Sequence, residues 1–378
     1  MEFYRDKILG IENMNYFYTG AESPSLKIAK EAMTQYLIDK SLGEIGRERA
    51  SLVEKQLKSN FAKLINAKEN EIAFSGNASE AINNIVNAMD IQPGTNVVLN
   101  DLEYPSVYLP WLSLKNRMDI ELRFLKAVDG EISVEEIEKN IDEKTCLVAI
   151  SHVSFLNGFR HNLKRLKELT DMKNVPLLVD ATQSLGVVEV DSNYCDMLVS
   201  SSYKWLLGPH GLGLMYISEK YLEKLQPKRI GWRSVQSIFH DQRFEKYYLN
   251  NDATKFELGF NNYPAIYVLK SSTDLLLKIG IDNIEKHVLK LGGKLINNLK
   301  KQGWKVLTPE DEKKRAGNIS VASNYGENIM KYLISKNVMI WGGDGRLRFS
   351  VNFYNTENEI DYLLNELKLI KEKERKLF

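Results

Sequence analysis

The chain has 378 residues, and its 51 Lys and Arg residues nearly balance its 50 Asp and Glu residues. This length predicts roughly two domains and allows a large core without covalent staples. Because the charges nearly cancel and no basic stripe stands out, nucleic acid is not expected as a main partner.

The two cysteines, Cys146 and Cys195, each lie in an apolar run. This excludes a disulfide framework and predicts a buried structural role for both thiols. The first residues carry charges throughout, and no segment approaches the roughly 20 apolar residues of a membrane span. A cytoplasmic protein without membrane contact is therefore expected.

Short apolar runs alternate with amphipathic segments between residues 70 and 220, a pattern typical of buried parallel strands joined by helices. Strands are predicted at 71–74, 96–99, 147–150, 176–179, 196–200 and 213–217. Helices are predicted near 79–89, 105–116, 133–140 and 162–173. The series predicts an α/β fold whose large domain contains a doubly wound, mostly parallel sheet.

A different pattern follows residue 265. Apolar residues at helical spacing predict one long helix from Ile281 to Leu299, after a bridging segment at 263–280. A last helix is predicted to start at Thr356, with Glu359 completing a capping box. Together with short strands, these helices predict a smaller α+β domain. The strands are expected at 304–307, 317–322, 338–341 and 346–351.

Ligands of an open α/β sheet bind beyond the carboxyl ends of its strands, and four segments place polar residues there. The first, 75–80, follows a strand and opens a helix. The free N–H groups at such a helix start suit a phosphate. An ordinary strand–turn–helix connection with a serine cap explains this segment equally well.

The second segment contains Asp180, which ends an apolar strand. A carboxylate in that position is costly unless a cation accompanies it. A protonated pyridine nitrogen is such a cation, and Gln183 stands where it can donate to an oxygen on the same ring. The alternative is that Asp180 caps the next helix.

The third segment contains Lys204, which lies between apolar residues and a glycine-rich turn at the end of another strand. Such surroundings lower the pKa of a lysine and make its neutral amine a nucleophile. An ordinary surface lysine is the alternative.

The fourth segment embeds Arg348 in an apolar strand, where a guanidinium needs an anion. A substrate carboxylate is a natural bidentate partner. An internal salt bridge is the alternative, and Asp344 is close in sequence.

The most specific motifs are VDATQSLG at 179–186 and SSYKWLLGPHGLG at 201–213. Five others occur in order over nearly the whole chain: ASEAIN (78–83), DLEYPSV (101–107), SHVSFLNGFR (151–160), FELGFNNYPAI (256–266) and LRFSVNFYNTENEID (347–361). In this order the chain resembles the class V aminotransferases. These are pyridoxal-5′-phosphate (PLP) enzymes of fold type I, a group that includes cysteine desulfurases, kynureninases and isopenicillin N epimerase-like proteins.

The resemblance implies a role for each matching residue. Lys204 would form a Schiff base with PLP, Asp180 would pair with the pyridine nitrogen, and Gln183 would bind the ring hydroxyl. Tyr104 would stack on the ring, and Arg348 would bind the α-carboxylate of the substrate. No metal ion is implied. The phosphate would be held by Ala78, Ser79, Ser201 and Tyr203.

The resemblance also implies a homodimer with its site at the subunit interface. Within each chain it implies an N-terminal segment at 1–40 that packs on the small domain, and a large PLP-binding domain at 41–262. A bridging helix and the small α+β domain would occupy 263–378.

Three features depart from the desulfurase pattern. Phe155 stands where desulfurases tend to have Asn. Phe260 replaces a Thr that reaches the phosphate of the other subunit, and a phenyl ring cannot donate that hydrogen bond. Residues 325–348 contain no cysteine, so the desulfurase nucleophile is absent.

The expected activity is an aminotransferase-type reaction on a small amino acid or amine. A C–S lyase or desulfurase-like enzyme without a loop cysteine is the alternative, and an amino-acid epimerase is a third. These reactions share the residues named above, because the cofactor carries the chemistry. A non-enzymatic scaffold is disfavoured by the Lys204–Asp180 pair, and a nucleotide-binding protein by the lack of a glycine-rich phosphate loop.

Overall fold

A computed structural model describes the backbone of residues 2–377 and the side chains of residues 4–372. Its strands are β1 (Asn15–Tyr16), β2 (Ile72–Ser75), β3 (Thr95–Asn100), β4 (Ile120–Leu125), β5 (Thr145–Ser151), β6 (Leu177–Asp180), β7 (Met197–Ser201), β8 (Gly213–Ile217), β9 (Asn318–Ala322), β10 (Val338–Met339), β11 (Trp341–Gly343) and β12 (Arg346–Ser350). Its α-helices are α1 (Ala29–Lys40), α2 (Glu44–Ile65), α3 (Ala78–Ala88), α4 (Pro105–Lys115), α5 (Val134–Lys139), α6 (Leu163–Met172), α7 (Glu219–Leu222), α8 (Tyr263–Ile279), α9 (Ile281–Lys301), α10 (Gly326–Ile334) and α11 (Glu357–Leu377).

The central sheet has seven strands in the order β2-β8-β7-β6-β5-β3-β4. The strands from β4 to β7 run parallel, whereas β8 is antiparallel to both of its neighbours. The adjacent residues Val97 and Val98 of β3 belong to two separate apolar cores, one on each face of the sheet. This burial on both faces explains the continuous apolar runs and confirms the predicted α/β fold with a mostly parallel sheet.

Side-chain caps set the starts of the helices that follow these strands. The Asn77 side chain accepts a hydrogen bond from the Glu80 N–H at 2.9 Å at the start of α3. The Asn162 side chain caps α6 in the same way at 3.1 Å. The predicted capping box at Thr356 and Glu359 is present at the start of α11. Such caps satisfy N–H groups that a helix end would otherwise leave unpaired.

The C-terminal part contains α9, which packs one apolar face inward, and an antiparallel sheet in the order β11-β12-β9. The start of the chain joins this part, because β1 pairs in parallel with β10 and Tyr18 forms a bridge with Ser350. Among the described helices, none combines the length and the apolar character needed to span a bilayer.

The predicted strand at 304–307 is wrong, since only Val306 forms a bridge there, to Val321 of β9. The Thr308 hydroxyl accepts the Ser320 N–H at 2.8 Å, so a side chain replaces the next backbone pairing. The predicted strand at 338–341 is interrupted at Ile340, which separates β10 from β11. The sequence reasoning also missed α1, α2 and the edge strand β4.

At Gly317 the C-terminal sheet packs closely against the large domain. A Cβ atom at this position would lie 2.6 Å from the Val351 carbonyl oxygen and closer still to the Trp205 ring. Trp205 is buried and belongs to the motif that carries Lys204. The glycine therefore permits a backbone-to-ring contact that no other residue would allow.

We expect Gly317→Ala to lower the free energy of unfolding by about 1–3 kcal/mol, because the added methyl overpacks rigid neighbours. Equilibrium denaturation of the cofactor-bound protein measures this change. Gly259→Ala is the matched control, since its Cβ would meet its nearest neighbour, the Trp232 Nε1 atom, at an ordinary 3.5 Å. Equal midpoints for the two variants would contradict the contact.

Candidate active site

A cavity of about 810 Å³ lies at the carboxyl ends of β5, β6 and β7 and beside the start of α3. All eight residues that the sequence suggested for cofactor binding line this cavity, and Phe155 lines it as well. Parallel strands end at the same edge of a sheet, so residues far apart in sequence converge there. Arg348 is not part of the cavity lining and approaches from β12.

Lys204 is 7% exposed, and its Nζ atom lies 5.3 Å from the centre of the Tyr104 ring. Burial lowers the pKa of Lys204 to about 8, and the positive charge of Arg348 acts in the same direction. The carboxyl of Asp180 opposes both effects. A larger fraction of Lys204 than of an ordinary lysine is therefore a neutral amine near neutral pH, as a nucleophile requires.

Asp180 ends β6 and is buried. One carboxyl oxygen accepts the Thr182 N–H at 2.8 Å. Burial raises the pKa of Asp180, while the hydrogen bonds from Thr182 and the charge of Lys204 lower it. No side chain in the described range 4–372 forms an ion pair with Asp180 within 4.0 Å. The carboxyl thus has room for a cationic ligand.

Gln183 connects three parts of the chain. Its Nε2 atom donates to the Gly20 carbonyl at 2.9 Å, and its Oε1 atom accepts from Trp205 Nε1 and Asn318 Nδ2, both at 2.9 Å. These bonds fix the orientation of the amide. They leave one N–H free, and that hydrogen is the one available to a ring oxygen.

The start of α3 and the end of β7 form the candidate phosphate site. The Ala78 N–H donates to the Ser201 hydroxyl at 3.1 Å, and the Ser79 and Ser106 hydroxyls lie 2.6 Å apart. The Tyr203 ring stacks on His210 at 4.2 Å, and burial raises the pKa of Tyr203. Hydroxyl donors gathered at the N-terminus of a helix suit an anion.

Tyr104 stands at the mouth of the cavity, just before α4. Its ring meets Phe155 edge to face, with the centres 5.0 Å apart. This geometry is the favoured one for an aromatic pair. Phe155, at a position where desulfurases tend to have Asn, therefore supports the ring that the resemblance places over the cofactor.

Arg348 is 4% exposed and has no carboxylate partner among the described side chains. Its Nη1 atom donates to the Phe155 carbonyl at 3.0 Å, and its Nε atom has no hydrogen-bond partner. Burial lowers the pKa of Arg348 to about 10, with a further contribution from Arg346. The suggested internal salt bridge with Asp344 is wrong, because Asp344 pairs with Arg346 at 2.5 Å.

The sequence reasoning missed Glu103, which lies behind the cavity, and Ser151, which lines it. The Ser151 N–H and hydroxyl both donate to the Glu103 carboxyl, at 2.8 and 2.5 Å. The available signal was an acidic residue just after the apolar strand β3, in the same kind of position as Asp180.

These groups fit PLP. A buried amine of lowered pKa can form a Schiff base, an unpaired buried carboxyl can take a pyridinium, and the start of α3 can take a phosphate. A mostly parallel sheet with this set of groups at its carboxyl edge defines a PLP-dependent enzyme of fold type I.

The chain belongs to the class V aminotransferase family, whose model, "Aminotransferase class-V", matches residues 16–363. A probable cysteine desulfurase of Methanothermobacter thermautotrophicus is 30% identical over 92% of each chain. An uncharacterized aminotransferase of Bacillus subtilis, YcbU, is 25% identical over 82% of each chain. The apo structure of a cysteine desulfurase from Thermococcus onnurineus NA1 covers 98% of each chain with a TM-score of 0.91 and 25% identity. A cystine C–S lyase, C-DES, shares the fold with a TM-score of 0.87 and 22% identity, over 95% of this chain and 98% of that one.

We expect Arg348→Lys to reduce kcat/KM for amino-acid substrates by roughly 10–100-fold, because an ammonium cannot reproduce the planar two-donor fork. Decarboxylated amines should lose much less, and the PLP content should stay normal. Steady-state kinetics on matched acid and amine pairs measure the difference.

Arg346→Lys is the control for this experiment, since Arg346 lies two residues away on the same strand and already has Asp344 as its partner. An equal loss on acids and amines in Arg348→Lys would show that the guanidinium has a structural role instead.

Proposed function

We propose that this protein is a PLP-dependent C–S lyase of the desulfurase type, acting on a small sulfur-containing amino acid without a protein persulfide. The aminotransferase-type reaction, which the sequence favoured, has less support than this alternative. The support comes from the relatives named cysteine desulfurase and from the position of the two thiols relative to the site.

The position of the cysteines carries the proposal. Cys146 is the second residue of β5, and Cys195 lies two residues before the start of β7. Both therefore lie at the amino ends of strands whose carboxyl ends form the site. Ser151 comes five residues after Cys146, which corresponds to roughly 16 Å along a strand. Burial also raises the pKa of each thiol, so neither is positioned or activated to accept sulfur.

The site geometry supports the following catalytic roles. Arg348 binds the α-carboxylate, and Asp180 pairs with the ring nitrogen of the cofactor. Bound PLP supplies a sink for the electrons left at Cα when its proton is removed. The Lys204 amine takes that proton, which its lowered pKa permits.

The bonds that break are Cα–H and Cβ–S, and the sulfur leaves with the bonding electron pair as a thiolate. Lys204 can then return its proton to the leaving sulfur or to the remaining three-carbon fragment. That fragment hydrolyses after release to pyruvate and ammonia. The sulfur product is therefore a small molecule, in contrast to a sulfur atom carried on the protein.

Without any keto-acid acceptor, we expect L-cysteine to yield pyruvate, ammonia and sulfide in equal amounts. L-Cystine should yield pyruvate, ammonia and cysteine persulfide in equal amounts. Cys146→Ser and Cys195→Ser should keep most of this turnover, with some loss of stability in the buried Cys195 variant. Separate assays of keto acid, ammonia and sulfide, with and without an acceptor, distinguish the reaction types.

Lys204→Ala is the control: it should lose turnover and should no longer retain PLP after borohydride reduction. Keto acid that forms only with an acceptor, and without sulfide, would establish an aminotransferase. If a cysteine variant folds and binds PLP but has no turnover, persulfide transfer to that cysteine becomes the leading hypothesis again.

We further propose that two chains form a homodimer. An open groove of about 1060 Å³ lies between α1, α2 and the segment 260–264. Apolar side chains around it are exposed, including Ile45 on α2 and Phe260, which is 62% exposed. A second copy of the chain is the occupant that would bury such a surface. Phe260 packs on Trp232 and has no donor, so residue 260 cannot donate a hydrogen bond to the phosphate of the partner.

We expect Ile45→Glu to weaken the dimer at least about tenfold, because a charge would be buried at the interface. Sedimentation velocity of the PLP-bound protein measures the dissociation constant. Met172→Glu replaces a still more exposed apolar residue on α6 and should leave association unchanged. A wild-type monomer would exclude the dimer.

A further inference from the structure

Glu103 is a buried carboxylate in the wall behind the cavity. It follows β3 by three residues and is 5% exposed. One carboxyl oxygen accepts both the N–H and the hydroxyl of Ser151, at 2.8 and 2.5 Å. The other accepts from the Asn100 side chain at 2.6 Å. Three donors pointing at one carboxyl group match its ionised, acceptor-only form.

Ser151 connects Glu103 to Asp180. Ser151 is the last residue of β5 and pairs directly with Asp180 in the parallel register of β5 and β6. The N–H of the following residue, His152, donates to the Asp180 carbonyl at 2.9 Å. Ser151 also lines the cavity. Ser151 therefore connects the Glu103 carboxyl, to which it donates, with Asp180, its partner in the strand register.

Neither carboxyl has a cation as an ion-pair partner within 4.0 Å in the part of the chain whose side chains are described. The groups that face Glu103 are the neutral Asn100 at the end of β3, the neutral Ser151 on β5 and the acidic Asp180 on β6. Burial raises the pKa of Glu103 to about 7, and the charge of Asp180 acts in the same direction. Two adjacent buried acids without a counter-ion are stabilised when a cation binds beside them.

We infer that Glu103 is a positioning residue of the cofactor ring site: it holds Ser151 beside Asp180 and adds a second negative charge that favours a protonated ring nitrogen. This inference rests on the proposed pairing of Asp180 with that nitrogen. Glu103 does not touch the ring itself, so it acts through Ser151 and through its electric field.

The test separates the effect of the Glu103 charge from the effect of its side-chain size. Glu103→Gln keeps the size of the side chain and removes the charge, whereas Glu103→Asp keeps the charge on a shorter side chain. Glu71→Gln is the matched control, since Glu71 is equally buried, accepts the N–H groups of Lys68 and Glu219, and lies at the amino end of β2. The readouts are the PLP dissociation constant, from fluorescence titration of the apoprotein, and the pH midpoint of the visible band of the Lys204-bound cofactor.

In Glu103→Gln, we expect the affinity for PLP to fall by roughly 3–10-fold and the pH midpoint to fall by roughly 0.5–1 unit. Both changes follow because losing a nearby negative charge destabilises the protonated cofactor. Glu103→Asp should recover most of both shifts, and Glu71→Gln should match the wild type. A Glu103→Gln protein that behaves like Glu71→Gln overturns the inference, as does a Glu103→Asp protein that is as impaired as Glu103→Gln.

Asp180→Asn, alone and combined with Glu103→Gln, separates this inference from the role of Asp180. Asp180→Asn removes the partner that keeps the ring nitrogen protonated, so the Glu103 charge has no pyridinium left to favour. The double variant should therefore resemble Asp180→Asn, and the effects should not be additive. Fully additive effects overturn the inference and leave Asp180 in its role. If Asp180→Asn does not shift the midpoint, the proposed role of Asp180 itself is wrong.

Discussion

Asp180 and Lys204 line one buried cavity at the carboxyl edge of the central sheet, and the described side chains give neither of them an ion-pair partner. Burying an unpaired charge costs free energy, and the cost is visible as a raised pKa for the acid and a lowered pKa for the amine. The same condition holds for Arg348, whose pKa is also lowered by burial. The surrounding sheet must be rigid enough to hold these side chains in this costly arrangement.

That rigidity comes from contacts that join distant parts of the chain. The Gln183 amide is bonded to Gly20, Trp205 and Asn318, so one side chain connects the N-terminal segment, the lysine motif and the C-terminal sheet. Gly317 lets the backbone of that sheet lie against the Trp205 ring. The position of Arg348 relative to Lys204 therefore depends on the packing of the C-terminal sheet onto the large one.

The direction of the strands decides what chemistry the thiols can do. Both cysteines lie at the amino ends of β5 and β7, opposite the edge where Lys204 lies, and both are kept protonated by burial. The short hairpin formed by β11 and β12 presents Trp341 and two arginines, without a thiol. Among the described residues, no cysteine lines this cavity.

The sequence by itself determined the α/β class, most strands of the central sheet and the helix caps, because these depend on burial patterns and contacts within a few residues. It also brought Lys204, Asp180 and the α3 start to one edge, since parallel strands end together. Only the tertiary structure decided that Asp344 pairs with Arg346 and that Arg348 has no carboxylate partner among the described side chains. It also decided that three partners occupy the Gln183 amide and that Glu103 lies behind Ser151. Most of these pairings join residues distant in sequence. In the case of Asp344, the structure distinguishes between two arginines on one face of a strand. Strand register and turn geometry set them, and local periodicity contains no information about either.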